Sequence, residues 1–193
     1  DVGRGRACRA DAVGVCGSRE EERPIIVVMG GSLGASRINA AATHALPTLD
    51  AQALLLAGTA HADRVRAACA SATNVRVEAF LDRMELALAA ADVVVARAGA
   101  TTCAELAACG VPSILVPYPH ATADHQTANA RVLVDAGGAD LIADDALDAP
   151  ALRSALGRML GDPARLQGMG AAARSVGRPR AAEDLVDLLR SVA

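Results

Sequence analysis

The chain of 193 residues contains no lysine and no tryptophan, and it has one tyrosine and one phenylalanine. All 19 basic residues are arginine, and the formal net charge is −3. A dedicated nucleic-acid-binding domain usually has a basic excess and aromatic side chains on which bases stack, so we expect no nucleic-acid partner. No apolar run approaches the roughly 18 residues that indicate a membrane-spanning helix. The opening residues, DVGRGRACRADAVG, lack the apolar stretch of a signal peptide.

Cysteine is present but does not form a recognisable pattern. There are five cysteines, an odd number, and no C-x-x-C pair or histidine-rich cluster accompanies them. This argues against a disulfide framework and against a structural zinc site. We interpret them as idle or buried thiols in a reducing cytoplasm. No Asp-rich cluster, H-E-x-x-H or G-x-S-x-G motif is present either, so we expect no metal ion and no other cofactor.

The chain divides into two parts of different character. Residues 1–24 contain several arginines and three consecutive glutamates without periodicity, which predicts an irregular tail or linker. Residues 25–193 predict one domain, since 52% of the chain is hydrophobic, which is ample for a packed core. Short apolar runs bounded by Gly, Pro or polar residues predict buried parallel strands at 25–29, 54–58, 75–79, 92–97, 113–117 and 139–143.

Helical segments are predicted between and after these strands. They lie near 34–46, 60–70, 84–91, 102–109, 124–136, 148–160, 163–175 and 180–192, and Asp162 followed by Pro163 is a good helix start. Strands that alternate with helices indicate an α/β domain built on a doubly wound parallel sheet. Ligands bind such sheets beyond the carboxyl ends of the strands, so the loops there are the candidate sites.

The first candidate loop, GGSLGA at 30–35, joins a strand to a helix. Its glycines would let the backbone approach a ligand, and the free N–H groups of the helix start would favour an anion such as diphosphate. It is neither a G-x-G-x-x-G nor a Walker loop. A tight turn with Ser32 as helix cap explains the residues equally well.

The second loop, RAGATTCAE at 97–105, is again a strand-to-helix junction. Thr102 and Glu105 have the S/T-x-x-E spacing of a capping box. Alternatively, the Glu105 carboxylate could accept hydrogen bonds from both hydroxyls of a ribose. The local sequence does not decide between these hypotheses.

Two further loops complete the set. After the loop PYPHATADHQ at 117–126, the side chains of His125, Gln126 and Asn129 form a polar helix face that could bind sugar hydroxyls. The simpler explanation is that Asp124 caps this helix and that His125 and Gln126 are solvated residues of its first turn. FLDRM at 80–84 could form an apolar shelf for a flat base, although core packing is the more common role for such residues.

Taken together, these loops resemble the C-terminal half of the MurG family of glycosyltransferase family 28. The residues that carry the resemblance are GGSLGASRIN (30–39), FLDRM (80–84), the long segment from Ala91 to Ala130, and AGGADLI (136–142). Members convert lipid I to lipid II in peptidoglycan synthesis and have the GT-B fold of two Rossmann-like domains. The resemblance covers about residues 25–192 and implies the domain that binds UDP-GlcNAc.

The resemblance also implies roles for individual residues. Gly31 and Ser32 would meet the diphosphate, Leu81 would read the uracil edge with Met84 nearby, and Glu105 would hold the ribose diol. His125, Gln126 and Asn129 would hold the sugar hydroxyls. Arg97 and the loop that follows would line the nucleotide; the loop residues are Gly99, Ala100, Thr101, Thr102, Cys103 and Ala104.

The resemblance has limits that set further expectations. Leu33 stands where the family often has Gln, and the glycine-rich acceptor domain with its catalytic His has no counterpart in this sequence. We therefore expect a fragment, a truncated product or half of a split enzyme, inactive alone, with lipid I bound through another domain and with peripheral association at the cytoplasmic membrane face. Another GT-B enzyme that uses UDP-sugars, such as a lipid glycosyltransferase or an epimerase, and a non-catalytic nucleotide-binding fragment are the alternatives.

Overall fold

A computed structural model describes residues 23–31 and 35–192. The expected tail at 1–24 therefore lies outside the described residues except for Arg23 and Pro24, and so do Ser32 and Leu33. Over the described ranges, no helix is both long enough and apolar enough to cross a membrane.

Six parallel strands form one sheet, flanked by helices. The strands are β1 (Ile25–Met29), β2 (Gln52–Leu56), β3 (Val75–Glu78), β4 (Val93–Ala96), β5 (Ser113–Leu115) and β6 (Ala139–Leu141). The helices are α1 (Ser36–Ala45), α2 (Ala62–Ala68), α3 (Met84–Ala90), α4 (Ala100–Cys109), α5 (His125–Asp135), α6 (Ala149–Leu160), α7 (Pro163–Val176) and α8 (Ala181–Val192). Short 3-10 turns lie at Leu46–Thr48, Thr122–Asp124 and Asp144–Ala146.

The strand order is β3-β2-β1-β4-β5-β6, which confirms the predicted doubly wound, Rossmann-like sheet. The chain leaves β1 toward β2 on one side and returns at β4 on the other. The connections that follow β1 and β4 therefore run to opposite faces of the sheet and leave a crevice beyond the paired carboxyl ends of these two strands. This crevice is where an open α/β sheet binds its ligand.

Both faces of the sheet are buried, as the near-continuous apolar strands predict. Ile26 and Val28 point to the face covered by α1, α2 and α6, whereas Ile25, Val27 and Met29 point to the face covered by α3, α4 and α5. Small residues let these layers approach closely: a Cβ on Gly138 would lie 2.7 Å from the backbone of Ala173 in α7.

The structure differs from the predicted boundaries at two strand-helix junctions. β2 begins at Gln52 and ends at Leu56, two residues earlier than predicted, because the Gln52 N–H bonds to Pro24 O and the chain turns at Gly58, where φ is +81°. α4 begins at Ala100 rather than near residue 102. The predicted Asp162 cap of α7 is confirmed, since its Oδ1 accepts from Arg165 N at 2.9 Å.

The last helix, α8, has no buried residue. Its sequence is strongly amphipathic, and Leu185, Leu188 and Leu189 are each more than half exposed. The sheet and its two helical layers are complete without it.

Candidate functional site

A cleft of about 960 Å³ opens at the carboxyl edge of the sheet, beside the crevice between β1 and β4. Residues that follow β1, β3, β4 and β5 line it, together with the last residue of β2 and the first residues of α1. The predicted site residues among its lining are Gly31, Leu81, Met84, Arg97, Gly99, Thr101, Thr102, Glu105 and Gln126. Four loops that are distant in sequence are thus brought to one cavity.

The other predicted residues of the described chain do not line this cleft. Cys103 faces inward and packs in the core, where burial raises the pKa of its thiol to about 11. Asn129 donates to Ala98 O at 3.1 Å and so fastens α5 to the loop after β4. The His125 ring Nδ1 lies 2.8 Å from Thr122 O at an exposed position. Ala100 and Ala104 are exposed on α4, outside the cleft lining.

Glu105 is not part of a capping box. The N-cap of α4 is Gly99, which places Thr102 in the first turn and Glu105 in the second. The Glu105 side chain is therefore too far along the helix to bond the N-cap N–H. It is exposed and lines the cleft, and it makes no hydrogen bond or ion pair to the described residues. A free carboxylate is thus available to a ligand.

Capping by Asp124 is likewise not observed. Asp124 has φ of +52°, as does Ala123 before it, and its side chain caps no backbone N–H. Its Oδ1 instead accepts from the Thr127 hydroxyl at 2.7 Å. The chain then enters α5 with Gln126 directed back, so that Gln126 Oε1 accepts from Tyr118 N at 3.0 Å. The amide NH₂ of Gln126 keeps its donors for the cleft.

Arg97 is held by the protein itself. Its Nη1 donates to Val116 O at 3.2 Å and Pro117 O at 3.1 Å, and lies 2.6 Å from Asp144 Oδ1. The guanidinium also lies 5.5 Å from the Tyr118 ring centroid, within cation–π range. Since the side chain is only 14% exposed, Arg97 joins the loops after β4, β5 and β6 and fixes one wall of the cleft.

An apolar shelf forms another part of the lining. Phe80 is 61% exposed, so it is not a core residue, and it lines the cleft together with Leu81, Met84 and Ala79. An exposed aromatic side chain beside backbone that has just left β3 suits a flat ring system. Core packing, the more common role of such residues, therefore does not apply to Phe80, whereas the partly buried Leu81 and Met84 also pack against the core.

Three polar side chains of the cleft lining were not predicted from the sequence. Arg37 and Ser36 lie in the first turn of α1, and Tyr118 follows β5. Arg37 Nε lies 3.0 Å from Asp144 Oδ2, so one carboxylate serves both Arg37 and Arg97. Within the described ranges, no group of three or more His, Cys, Asp or Glu side chains is placed to hold a metal ion.

The family follows from comparison with known proteins. Residues 25–185 match the model of the glycosyltransferase family 28 C-terminal domain. The chain belongs to this family. It is 43% identical over 175 residues to a UDP-N-acetylglucosamine--N-acetylmuramyl-(pentapeptide) pyrophosphoryl-undecaprenol N-acetylglucosamine transferase of Lactiplantibacillus plantarum, covering 88% of this chain and 48% of the relative. It is 45% identical over 181 residues to the same-named protein of Solidesulfovibrio magneticus, covering 87% and 49%.

A solved structure agrees with this assignment. The crystal structure of MurG from Acinetobacter baumannii superposes with a TM-score of 0.80 and 32% sequence identity, covering 91% of this chain and 55% of that one. The resemblance to the MurG family and the GT-B type of Rossmann-like fold are thereby confirmed. The chain spans about half the length of the curated relatives it matches.

Proposed function

We propose that the cleft binds UDP-GlcNAc and that this chain is the donor-binding domain of an inverting N-acetylglucosaminyltransferase that forms lipid II from lipid I. The observation that carries the proposal is the Glu105 carboxylate, which lines the cleft without a protein partner in the described structure. The names of the relatives support the choice of sugar.

Each part of the cleft fits one part of this ligand. The apolar shelf of Phe80, Leu81 and Met84 suits the uracil ring, and Glu105 suits the ribose diol, where it would accept two charge-assisted hydrogen bonds. Gly31 and the start of α1 suit the diphosphate, because the first N–H groups of a helix lack intrahelical acceptors. The free NH₂ of Gln126 suits a sugar hydroxyl.

The reaction would need a second domain for the acceptor. The 4-hydroxyl of the lipid I sugar attacks the anomeric carbon, the bond to the β-phosphate oxygen breaks, and its electron pair leaves with UDP. A base in the acceptor domain takes the hydroxyl proton. This chain would stabilise the leaving diphosphate through N–H groups and helix dipoles. We place the complete enzyme at the cytoplasmic face of the membrane, where its lipid acceptor lies.

Calorimetric titration tests the donor site. We expect UDP and UDP-GlcNAc to bind in the presence of EDTA. We expect NAD not to bind, because the chain lacks a G-x-G-x-x-G turn followed by an acidic residue. Equal binding of NAD and UDP, or UDP binding that disappears with EDTA and returns with manganese, would contradict the proposal. Tighter binding of another UDP-sugar would instead favour a different transferase or an epimerase.

Glu105→Gln tests the ribose contact. Charge-assisted hydrogen bonds of about 1.5–3 kcal/mol are weakened, so UDP affinity should fall roughly ten- to a hundredfold while stability stays unchanged. Glu183→Gln, at an exposed position of α8, is the matched control. The preference for UDP over 2′,3′-dideoxy-UDP should shrink in Glu105→Gln. If that preference persists undiminished, Glu105 does not touch the ribose.

A further inference from the structure

A diphosphate carries negative charge, which a cationic side chain would stabilise in addition to backbone N–H groups, and the described lining offers two such side chains. They are Arg37 and Arg97, since the chain has no lysine. Arg97 is committed to the fold: its guanidinium contacts two backbone carbonyls, the Asp144 carboxylate and the Tyr118 ring. Moving it toward a ligand would leave the buried carbonyl of Val116 without that donor.

Arg37 is in a different situation. Its side chain is half exposed, and its one ion pair or hydrogen bond with the described residues joins Nε to Asp144 Oδ2. A guanidinium has five N–H donors in a planar fork that matches phosphate oxygens, so most of its donors remain available. It is the second residue of α1 and lines the same cleft as Gly30 and Gly31.

Asp144 orients the Arg37 guanidinium, but its single negative charge does not neutralise both arginines. The carboxylate is 13% exposed and shared by the two arginines, and its single negative charge faces two positive charges. The trio therefore carries a net charge of +1, and Arg37 is the more exposed of its two arginines in the cleft lining. An anion that enters the cleft meets this charge already positioned.

We propose that Arg37 binds the diphosphate of the donor nucleotide, with Asp144 as the positioning residue that holds its guanidinium in place. This inference rests on the proposed donor site and assigns it a cation. The hydrogen bonds of Arg37 would strengthen as the bond between the anomeric carbon and the phosphate oxygen breaks, since the electron pair remains on the diphosphate.

The test compares a ligand that carries phosphates with one that does not. UDP and uridine are titrated calorimetrically into the wild-type chain and into Arg37→Gln, Arg37→Lys and Arg153→Gln. Arg153 is an exposed arginine of α6 outside the cleft lining and serves as the control. Thermal unfolding of each variant establishes that it folds.

In Arg37→Gln the affinity for UDP should fall roughly ten- to a hundredfold, while that for uridine changes less than about twofold. Arg37→Lys should lie between the wild type and Arg37→Gln, because lysine keeps the charge but loses the fork. Raising the salt concentration should weaken UDP binding more in the wild type than in Arg37→Gln. Arg153→Gln should match the wild type for both ligands.

The outcomes that contradict the inference are distinct. If Arg37→Gln binds UDP as the wild type does, Arg37 is not the diphosphate cation, although the donor site stands. If UDP and uridine weaken equally in both Arg37 variants, Arg37 supports the shape of the cleft rather than the phosphates. If the wild type binds neither ligand, the proposed donor site fails, and this inference fails with it.

Discussion

The Arg97–Asp144 ion pair should contribute measurably to folding stability, in contrast to ion pairs on the surface. The two side chains are 14% and 13% exposed, and Nη1 and Oδ1 lie 2.6 Å apart. Arg97→Gln removes this contact and also the donor to Val116 O and Pro117 O. With charge-assisted hydrogen bonds at about 1.5–3 kcal/mol each and partial compensation by glutamine, we expect a loss of roughly 2–4 kcal/mol.

A double-mutant cycle isolates the pair from its surroundings. Urea unfolding followed by circular dichroism is measured for the wild type, Arg97→Gln, Asp144→Asn and the double variant. The coupling free energy should be about 1–2 kcal/mol, and the melting temperature of Arg97→Gln should fall by roughly 4–16 °C for a chain of this size. Asp144 also holds Arg37, but that contact cancels in the cycle.

The control cycle uses Arg180 and Glu183, which form an ion pair 2.7 Å long with side chains 74% and 66% exposed. Exposed pairs contribute little, so its coupling should stay below about 0.5 kcal/mol. If the Arg97–Asp144 coupling is equally small, this ion pair does not help to hold the cleft wall together.

Three further predictions concern single residues. Burial raises the pKa of Cys103 to about 11, so the folded state keeps its thiol proton after the unfolded state has lost it. The free energy of unfolding should therefore fall as the pH rises from about 9 to 11, and it should fall less in Cys103→Ala. Urea unfolding at each pH measures both changes. Burial also raises the pKa of the Cys69 thiol, so the comparison with Cys103→Ala isolates the contribution of Cys103. Asp162→Ala removes the cap bond to Arg165 N and should cost about 0.5–2 kcal/mol in thermal unfolding, and no measurable loss would contradict the cap. Gly138→Ala places a Cβ 2.7 Å from the Ala173 backbone and should lower the free energy of unfolding by roughly 1–3 kcal/mol. An unchanged unfolding midpoint would show that the segment before β6 moves away from α7 at no cost.

The sheet was predictable from the sequence because parallel strands buried on both faces are apolar throughout. The apolar run at 25–29 and the five later apolar runs predicted all six strands, and their alternation with helices indicated the doubly wound arrangement. Boundaries were less predictable. Gln52 belongs to β2 although it is polar, because it lies at the start of the strand, where the backbone pairing rather than the side chain decides.

The cleft was predictable only in part. The loops after the strands pointed to Glu105 and Gln126, but the spacing of Thr102 and Glu105 equally fitted a capping box, and only the start of α4 at Ala100 excluded it. Arg37 and Asp144 were missed because nothing local connects them: one lies in the first turn of α1 and the other in a 3-10 turn after β6. Their pairing depends on the order of the strands.

The arrangement of the sheet also has a consequence for how the domain folds. β1 pairs with β4, and the bond from Ile25 N to the Asp92 carboxylate joins residues 67 positions apart. Non-local parallel pairing of this kind requires long loops to close, and their entropy is lost before the strand contacts that offset it have formed. Folding through such pairings is therefore slow. The cleft needs the loops after β1, β3, β4 and β5 together, and it is complete only when these pairings are complete. A ligand that requires the finished cleft would therefore leave the folding rate unchanged and slow the unfolding of the whole sheet.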